Sequence, residues 1–187
     1  MSAVATLSPN SAPPDDCPEA PAPVEFRYAQ TESFVALLHQ LRASLLVSTY
    51  QANKLLAVRA AGNGLSTLVR TFDRPMGLAV VGPRLTLGTR NQIWFFRNAP
   101  DIAPRVEPAG RHDACYLPRS CHVTGDIGVH ELAWVTPDRP ALSPEGRGEG
   151  ELWVVNTRFS CLCTLHPDYS FVPRWQPPFV TALAPPQ

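Results

Sequence analysis

Three short stretches of the chain share one pattern, and this pattern constrains the fold more than any other feature. Each stretch is an apolar run, then a small or amide residue, then Thr, then Tyr or Arg, and a second apolar run follows it. The stretches are LLVSTY (45–50), LTLGTR (85–90) and WVVNTR (153–158). Thr49 and Thr89 lie 40 residues apart, and Thr157 follows 68 residues after Thr89. A unit of about 40 residues built from short strands is typical of one β-propeller blade.

The turns and short apolar runs around the repeat predict a mainly β fold. The expected architecture is a partial β-propeller with about three blade units of short antiparallel strands. Turn signals such as Gly62-Asn63-Gly64 separate short apolar runs between residues 44 and 98. The segment Gly77-Leu78-Ala79 before the second unit resembles Glu131-Leu132-Ala133 before the third. An open meander or a sandwich with chance similarity is the alternative fold.

A short α-helix is predicted before the first strand. Thr31 is a suitable N-cap, and the helix is expected to end near Ala43. Apolar residues with the helical period occur at Phe34, Leu37, Leu38 and Leu41. Residues 1–25 are rich in Ala, Pro, Ser and Asp, and we predict that they are disordered because they carry too little apolar surface to offset the entropy of ordering.

Composition and charge limit the partners and the cell compartment that we expect for this protein. The chain has 16 basic and 16 acidic residues, so its formal net charge is zero, which argues against nucleic acid as a partner. No run approaches the roughly 20 apolar residues that span a bilayer, so no membrane association is expected. The first 25 residues lack the pattern of a signal peptide, which predicts a cytoplasmic protein. Five cysteines, an odd number, fit reduced thiols better than a disulfide framework.

Several long stretches resemble a bacterial family of conserved hypothetical proteins of unknown function. The matching stretches are SLLVSTYQANKL (44–55), FDRPMGLAV (72–80), GRHDACYLPR (110–119), HVTGDIGVHELAW (122–134) and the segment from ELWVVNTRF to TALAP (151–185). The resemblance implies a propeller-like domain over residues 26–185, which some members combine with tetratricopeptide repeats that are absent here. Family members continue with further strand units, so the resemblance also implies that this chain corresponds to the N-terminal half of a longer domain.

Two segments interrupt the repeat. Residues 99–125 contain several prolines and are predicted to form a long loop or an elaborated outer strand. Residues 135–150, VTPDRPALSPEGRGEG, are polar and rich in turn formers, and we predict an exposed insert loop there.

The densest polar cluster supplies the candidate catalytic residues His122, Asp126, His130 and Glu131. His, Asp and Glu act as general acids and bases and also bind divalent metals, although the sequence does not identify a metal. His130 and Glu131 stand where an inner strand begins, the position nearest a propeller channel. The alternative is structural: His122 and His130 satisfy buried backbone groups, and Asp126 makes a turn.

The candidate ligand-binding residues are Arg90, Arg158, His112 and Asp113. Both arginines follow the repeated Thr, where a guanidinium group is able to bind a carboxylate or another anion bidentately. Their repetition also fits a structural role, in which each pairs with an Asp or a carbonyl group between blades.

The cysteines offer a weaker signal. Four thiols, Cys115, Cys121, Cys161 and Cys163, equal the number of ligands in a structural zinc site, but their spacing is atypical of one. Buried thiols that pack like small apolar residues are the favoured interpretation.

These observations predict a binding or interaction module with a protein or small-molecule partner. The alternative is a hydrolase or lyase with a His/Glu site, with or without a metal, at the propeller channel. Three blade units leave sheet edges that ring closure normally protects, so self-association through these edges is a further expectation. The sequence does not identify a cofactor.

Overall fold

The computed structural model describes residues 28–135 and 150–180, and all its elements lie in the compact unit that begins at Thr31. In chain order the elements are α1 (Glu32–Leu41), β1 (Ser44–Thr49), β2 (Lys54–Ala61), β3 (Gly64–Thr71), β4 (Leu78–Val81), β5 (Arg84–Gly88), β6 (Gln92–Asn98), a 3-10 turn (Ala103–Arg105), β7 (Tyr116–Val123), β8 (Val129–Val135), β9 (Glu151–Asn156), β10 (Cys161–Thr164) and β11 (Val172–Trp175). The mainly β class with one short helix is therefore confirmed. The predicted disordered segment 1–25 lies outside the described residues.

The strands form three antiparallel sheets, each an up-and-down meander. Sheet A has the order β1-β2-β3, sheet B the order β4-β5-β6-β7, and sheet C the order β8-β9-β10-β11. Consecutive strands are neighbours in every sheet. The register places Thr49 opposite Lys54 in sheet A and Leu87 opposite Trp94 in sheet B. Each sheet is thus built from strands that are consecutive in the sequence.

Turn residues account for the tight connections. Asn53, which follows β1, has φ of 57°, and Gly62 between β2 and β3 has φ of 58°. This left-handed region is costly for most side chains, and Asn and Gly tolerate it best. The predicted turn at Gly62-Asn63-Gly64 is therefore present, and Asn53 makes the corresponding turn between β1 and β2.

Helix α1 begins at the predicted N-cap. The Thr31 hydroxyl oxygen accepts a hydrogen bond from the backbone N–H of Phe34 at 3.2 Å. The predicted apolar face is only partly correct, because Leu38 is buried but Leu37 and Leu41 are exposed. Val35 joins Leu38 in the contact with sheet A, since the helix packs on β2 and β3.

The main core lies between sheets B and C. Its fully buried members include Ile93 from β6 and Val154 from β9. Alternate residues of β6 face opposite ways, as strand geometry requires. Phe95 meets Trp134 of sheet C at a ring distance of 6.3 Å, whereas Trp94 meets Phe72, directly after β3, at 6.0 Å. Sheet B therefore stands between sheets A and C.

Sheets B and C approach closely at one glycine. A Cβ atom at Gly88 would overlap the Val129 side chain, so the ends of β5 and β8 meet only because this residue has no side chain. At the other end of β8, Trp134 Nε1 donates a hydrogen bond to Thr86 Oγ1 at 3.0 Å. The contact between these sheets thus combines an apolar centre with a part-buried polar bond at one side.

The interruptions of the repeat are partly described. Residues 99–125 were predicted to form a long loop or an outer strand, and they contain both. An irregular segment with the 3-10 turn comes first, and the outer strand β7 follows it. Of the predicted insert loop at 135–150, residues 136–149 lie outside the described part of the chain.

Candidate functional site

Turns and connectors from all three sheets gather at one end of the molecule. The turns after β1, β5 and β9 lie there, together with the connectors that lead into β4 and β8. They surround a cavity of about 80 Å³. Its lining includes Tyr50, Arg74, Arg90, Asp126, His130 and Thr157. Side chains from different sheets therefore face one small space.

Asp126 bridges two arginines from neighbouring sheets. Its Oδ2 accepts hydrogen bonds from Arg90 Nε at 3.1 Å and from Arg158 Nη2 at 2.9 Å. Desolvation by the surrounding protein raises the pKa of Asp126, but the hydrogen bonds and positive charges of Arg158 and Arg90 outweigh it. The pKa of Asp126 thus lies below its ordinary value, and the carboxylate is ionised near neutral pH.

The backbone fixes both arginines. The Arg90 N–H donates to the carbonyl oxygen of Asp73 at 3.0 Å, and the Arg158 N–H donates to that of Ile127 at 3.2 Å. Each bond ties the turn to the connector that leads into the first strand of the same sheet. Arg90 and Arg158 are therefore equivalent in their backbone setting as well as in sequence.

Positive charge exceeds negative charge around the cavity. Arg74 and Arg90 line the cavity, and Arg158 is bonded to the lining residue Asp126, so one carboxylate stands beside three guanidinium groups. Within the described residues, each ion pair with Asp126 uses one nitrogen of its arginine, Nε of Arg90 and Nη2 of Arg158. Both side chains are half-exposed, so their further N–H groups are open to solvent. The arrangement supplies oriented donors for an anion.

Tyr50 and Arg74 form a second wall. Arg74 Nη1 lies 3.4 Å from the Tyr50 hydroxyl, and its guanidinium carbon stands 5.6 Å from the centre of the Tyr50 ring. The Arg74 N–H also donates to Asn53 Oδ1 at 2.9 Å. The same pair also borders an open depression of about 420 Å³. This depression is lined by Tyr50, Gln51, Asn53 and Arg74. The small cavity and the open depression thus share Tyr50 and Arg74.

The repeated threonines close turns. Thr49 Oγ1 donates to the Lys54 carbonyl at 3.0 Å and accepts from the Lys54 N–H at 3.1 Å. Thr89 Oγ1 donates to the Gln92 carbonyl at 2.8 Å. In both hairpins the hydroxyl bonds the residue across the turn, so this part of the sequence repeat has a structural cause.

The third copy of the repeat is shifted by one residue. Thr89 is buried, but Thr157 is exposed, and its hydroxyl donates to the Gly128 carbonyl at 2.9 Å. Asn156, which is 1 % exposed, closes the turn instead, because its Oδ1 accepts from the Phe159 N–H at 3.1 Å. Asn156 therefore takes the place that the sequence alignment gives to Thr157.

The four predicted catalytic residues do not form one cluster. Asp126 and His130 line the cavity, whereas the other two have backbone partners. The His122 Nε2 donates to the Ser170 carbonyl at 2.8 Å and links sheet B to sheet C, and Glu131 Oε1 accepts from the Leu132 N–H at 3.1 Å.

His112 and Asp113 lie apart from the two arginines with which they were grouped. Arg59 Nη1 donates to His112 Nδ1 at 3.0 Å, and the His112 Nε2 lies 3.3 Å from the Glu107 carbonyl. Asp113 is exposed on the same segment. The structure thus places them beside β2, whereas Arg90 faces the cavity.

The thiols are dispersed. Cys161 and Cys163 are buried in the core between sheets B and C, and Cys121 is exposed on β7. Burial raises the pKa of Cys163 to about 11, with a further contribution from the neighbouring Cys161. Among the described residues, no three His, Cys, Asp or Glu side chains are grouped to hold a metal ion.

Sequence reasoning did not single out Tyr50 and Arg74. Tyr50 stands at the position that Arg90 and Arg158 occupy in the repeat, so the alignment carried a usable signal for it. Arg74 carried no such signal, because it lies in a connector outside the aligned stretches.

The fold and the site define a mainly antiparallel β domain with an Arg/Asp cluster at the turns of one sheet end. Residues 32–187 match a family described as a domain of unknown function (DUF4915), and the chain belongs to this family. Comparisons with curated proteins and with solved structures gave no match. In the described part of the chain, no helix has the length and apolar character that a membrane crossing requires.

Proposed function

We propose that this protein is a propeller-like binding module that takes a small anionic ligand in the cavity between the three sheets. One observation carries the proposal: the guanidinium groups of Arg74 and Arg90 line the cavity, a third from Arg158 is bonded to the Asp126 carboxylate in its wall, and this one carboxylate offsets only part of their charge. Asp126 acts here as a positioning residue, since it holds Arg90 and Arg158 and leaves their other N–H groups for a ligand.

The propeller arrangement is supported by the sheets themselves. Sheets B and C are four-stranded meanders whose first strands, β4 and β8, contact each other. Propellers use the same unit and place their ligand sites where turns from several blades converge. The cavity lies at such a convergence.

Cavity size limits the ligand. Pockets for whole drug-sized molecules measure roughly 300–1,000 Å³, whereas one water needs about 10–15 Å³. A cavity of about 80 Å³ therefore fits one carboxylate or phosphate group. The open depression beyond Tyr50 and Arg74 offers room for the rest of the molecule.

Calorimetric titration with succinate and with inorganic phosphate tests the proposal, with neutral succinamide as the ligand control. We expect Arg90→Gln and Arg158→Gln to weaken binding of the anions about tenfold or more, because a hydrogen bond to a charged group contributes roughly 1.5–3 kcal/mol. Arg105→Gln, a change of the same type outside the cavity, should leave binding unchanged. Equal binding of succinamide, or no binding of either anion at millimolar concentration, would refute the proposal.

A hydrolase or lyase is the second candidate, favoured by the position of His130 beside the same cavity. His130 is available for acid–base chemistry, whereas Asp126 is held by two arginines. Hydrolysis of a panel of p-nitrophenyl esters tests this candidate. Activity lost in His130→Gln, with phosphate binding retained, would support it, and activity that survives this substitution would exclude His130 as the base.

A further inference from the structure

The connectors that lead into sheets B and C have equivalent backbones but different side chains. The turn after β5 bonds the Asp73 carbonyl, and the turn after β9 bonds the Ile127 carbonyl, each through the backbone N–H of its repeated arginine. The next residue is Arg74 in the first connector and Gly128 in the second. Both have left-handed backbone, with φ of 46° and 62°. Arg74 therefore stands at a place where the other connector has glycine.

This backbone conformation is unfavourable for arginine but not for glycine. A Cβ atom disfavours the left-handed region, whereas glycine enters it freely. The Arg74 N–H donates to Asn53 Oδ1 at 2.9 Å, which helps to hold the strained backbone in place. Strained residues of this kind cluster at ligand sites. Glycine at position 74 would serve the fold as well, so the arginine side chain indicates a role in binding.

The guanidinium group of Arg74 carries a charge that no neighbour offsets. Asp126 forms its ion pairs with Arg90 and Arg158. Among the described residues, no carboxylate lies within ion-pair distance of Arg74. Its nearest polar neighbour is the neutral Tyr50 hydroxyl, 3.4 Å from Nη1. Arg74 thus offers oriented N–H donors and a full positive charge to a ligand.

Arg74 also borders two spaces of different size. It lines the cavity of about 80 Å³ together with Arg90, and the open depression of about 420 Å³ together with Tyr50 and Gln51. The cavity fits one carboxylate or phosphate group. In the part of the chain that the structure describes, no Asp or Glu lines the depression. A second anionic group that extends from the cavity into the depression would therefore meet Arg74 without a competing carboxylate.

We propose that the ligand of this site carries two anionic groups and that Arg74 selects for the second one. The inference rests on the proposed function, because it assumes that the first group binds beside Arg90. The ligand class is a dicarboxylate or a compound with one carboxylate and one phosphate group. Arg74 is then a specificity-determining residue, whereas Arg90 serves every anion that enters the cavity.

Calorimetric titration with diacids and matched monoacids tests the inference. The diacids run from malonate to adipate, and the monoacids from propionate to hexanoate match them in carbon number. We expect at least one diacid to bind about tenfold more tightly than its monoacid, because Arg74 adds hydrogen bonds to a charged group. Arg74→Gln should remove this advantage and leave the affinity for the monoacid unchanged. Arg90→Gln should weaken the binding of both classes.

The outcomes separate the inference from the proposed function. If diacids and monoacids bind the parent chain equally, or if Arg74→Gln weakens both classes alike, the inference fails and the anion site at Arg90 stands. If none of the acids binds at millimolar concentration, the proposed function fails and the inference fails with it.

A glycine variant distinguishes a loss of binding from a loss of folding. Arg74→Gly should lose the diacid advantage while its urea midpoint does not fall, because glycine relieves the left-handed backbone. Arg42→Gly is the matched control, since Arg42 has φ of 49° at the C-cap of α1, outside both spaces. This control should keep the diacid advantage. An advantage that persists in Arg74→Gly, or that is lost in Arg42→Gly, would contradict the role assigned to Arg74.

Discussion

The contact between sheets B and C differs from the contact between sheets A and B. Sheets B and C share a continuous apolar core that includes fully buried residues such as Ile93 and Val154. Sheet A meets sheet B through the Phe72 ring, which packs on Trp94 and Phe96, and through polar bonds such as that from Ser48 Oγ to the Met76 carbonyl at 2.6 Å.

The difference shows how stability and binding are divided. Apolar burial contributes about 25 cal/mol per Å², so we expect the B–C core to contribute more to stability than the A–B contact does. The cavity lies at the end of the molecule where the turns of all three sheets meet, so both contacts border it. The two sheets that share the apolar core thus carry Arg90 and Asp126, and sheet A carries Tyr50.

Ile93→Ala probes the strong side of this comparison and should have the largest effect. Ile93 is 0 % exposed, so truncation leaves a cavity in the core and should lower the free energy of unfolding by about 2–5 kcal/mol. Urea denaturation measures the change. Ile102→Ala removes the same atoms at a site that is 43 % exposed and should cost far less. Equal losses in both variants would mean that the B–C core is not the main source of stability.

Phe72→Ala probes the weak side. Loss of the ring removes two aromatic contacts and should cost about 1–3 kcal/mol, since each pair contributes roughly 0.5–1.5 kcal/mol beyond its buried area. Hydrogen exchange should accelerate in β1, β2 and β3 more than in β8 and β9. Phe179→Ala, at a site that is 83 % exposed, is the control. Uniform acceleration in all three sheets would show that sheet A is as firmly attached as the others.

Asp126→Asn probes the polar link between sheets B and C and should have the smallest effect. The pKa of Asp126 is below its ordinary value in the folded state, so its ionisation stabilises the fold above about pH 4, and this contribution is lost as the pH falls through the folded-state pKa. The parent chain should lose about 0.2–1 kcal/mol more stability between pH 6 and pH 3 than Asp126→Asn does, a range typical of partly exposed ion pairs.

Denaturation at a series of pH values measures this difference. Other acidic groups titrate in both chains, so the comparison isolates Asp126. Identical pH profiles would show that the two arginine bonds contribute nothing to folding.

Local signals predicted the fold better than they predicted the site. The Thr31 cap, the turn at Gly62 and the three sheets follow from patterns within a few residues of each other. The cavity depends on contacts between sheets, which a single sequence does not encode locally. Arg90 and Arg158 were therefore predicted as an anion site or as partners of an Asp, without the information that Asp126 joins them. The same limit explains why His112 was grouped with residues from which the structure separates it.

The turn-closing hydroxyl groups of Thr49 and Thr89 have a consequence for tracing relatives of this chain. A search with the apolar-Thr-Tyr/Arg pattern would retrieve hairpins of this geometry whatever they bind, because the threonine is selected by the turn. It also aligns the third hairpin on Thr157, although Asn156 is the residue that closes that turn. A more informative signature pairs the residue after the turn with an acidic residue in a later connector, as Arg90 and Asp126 are paired here, 36 positions apart.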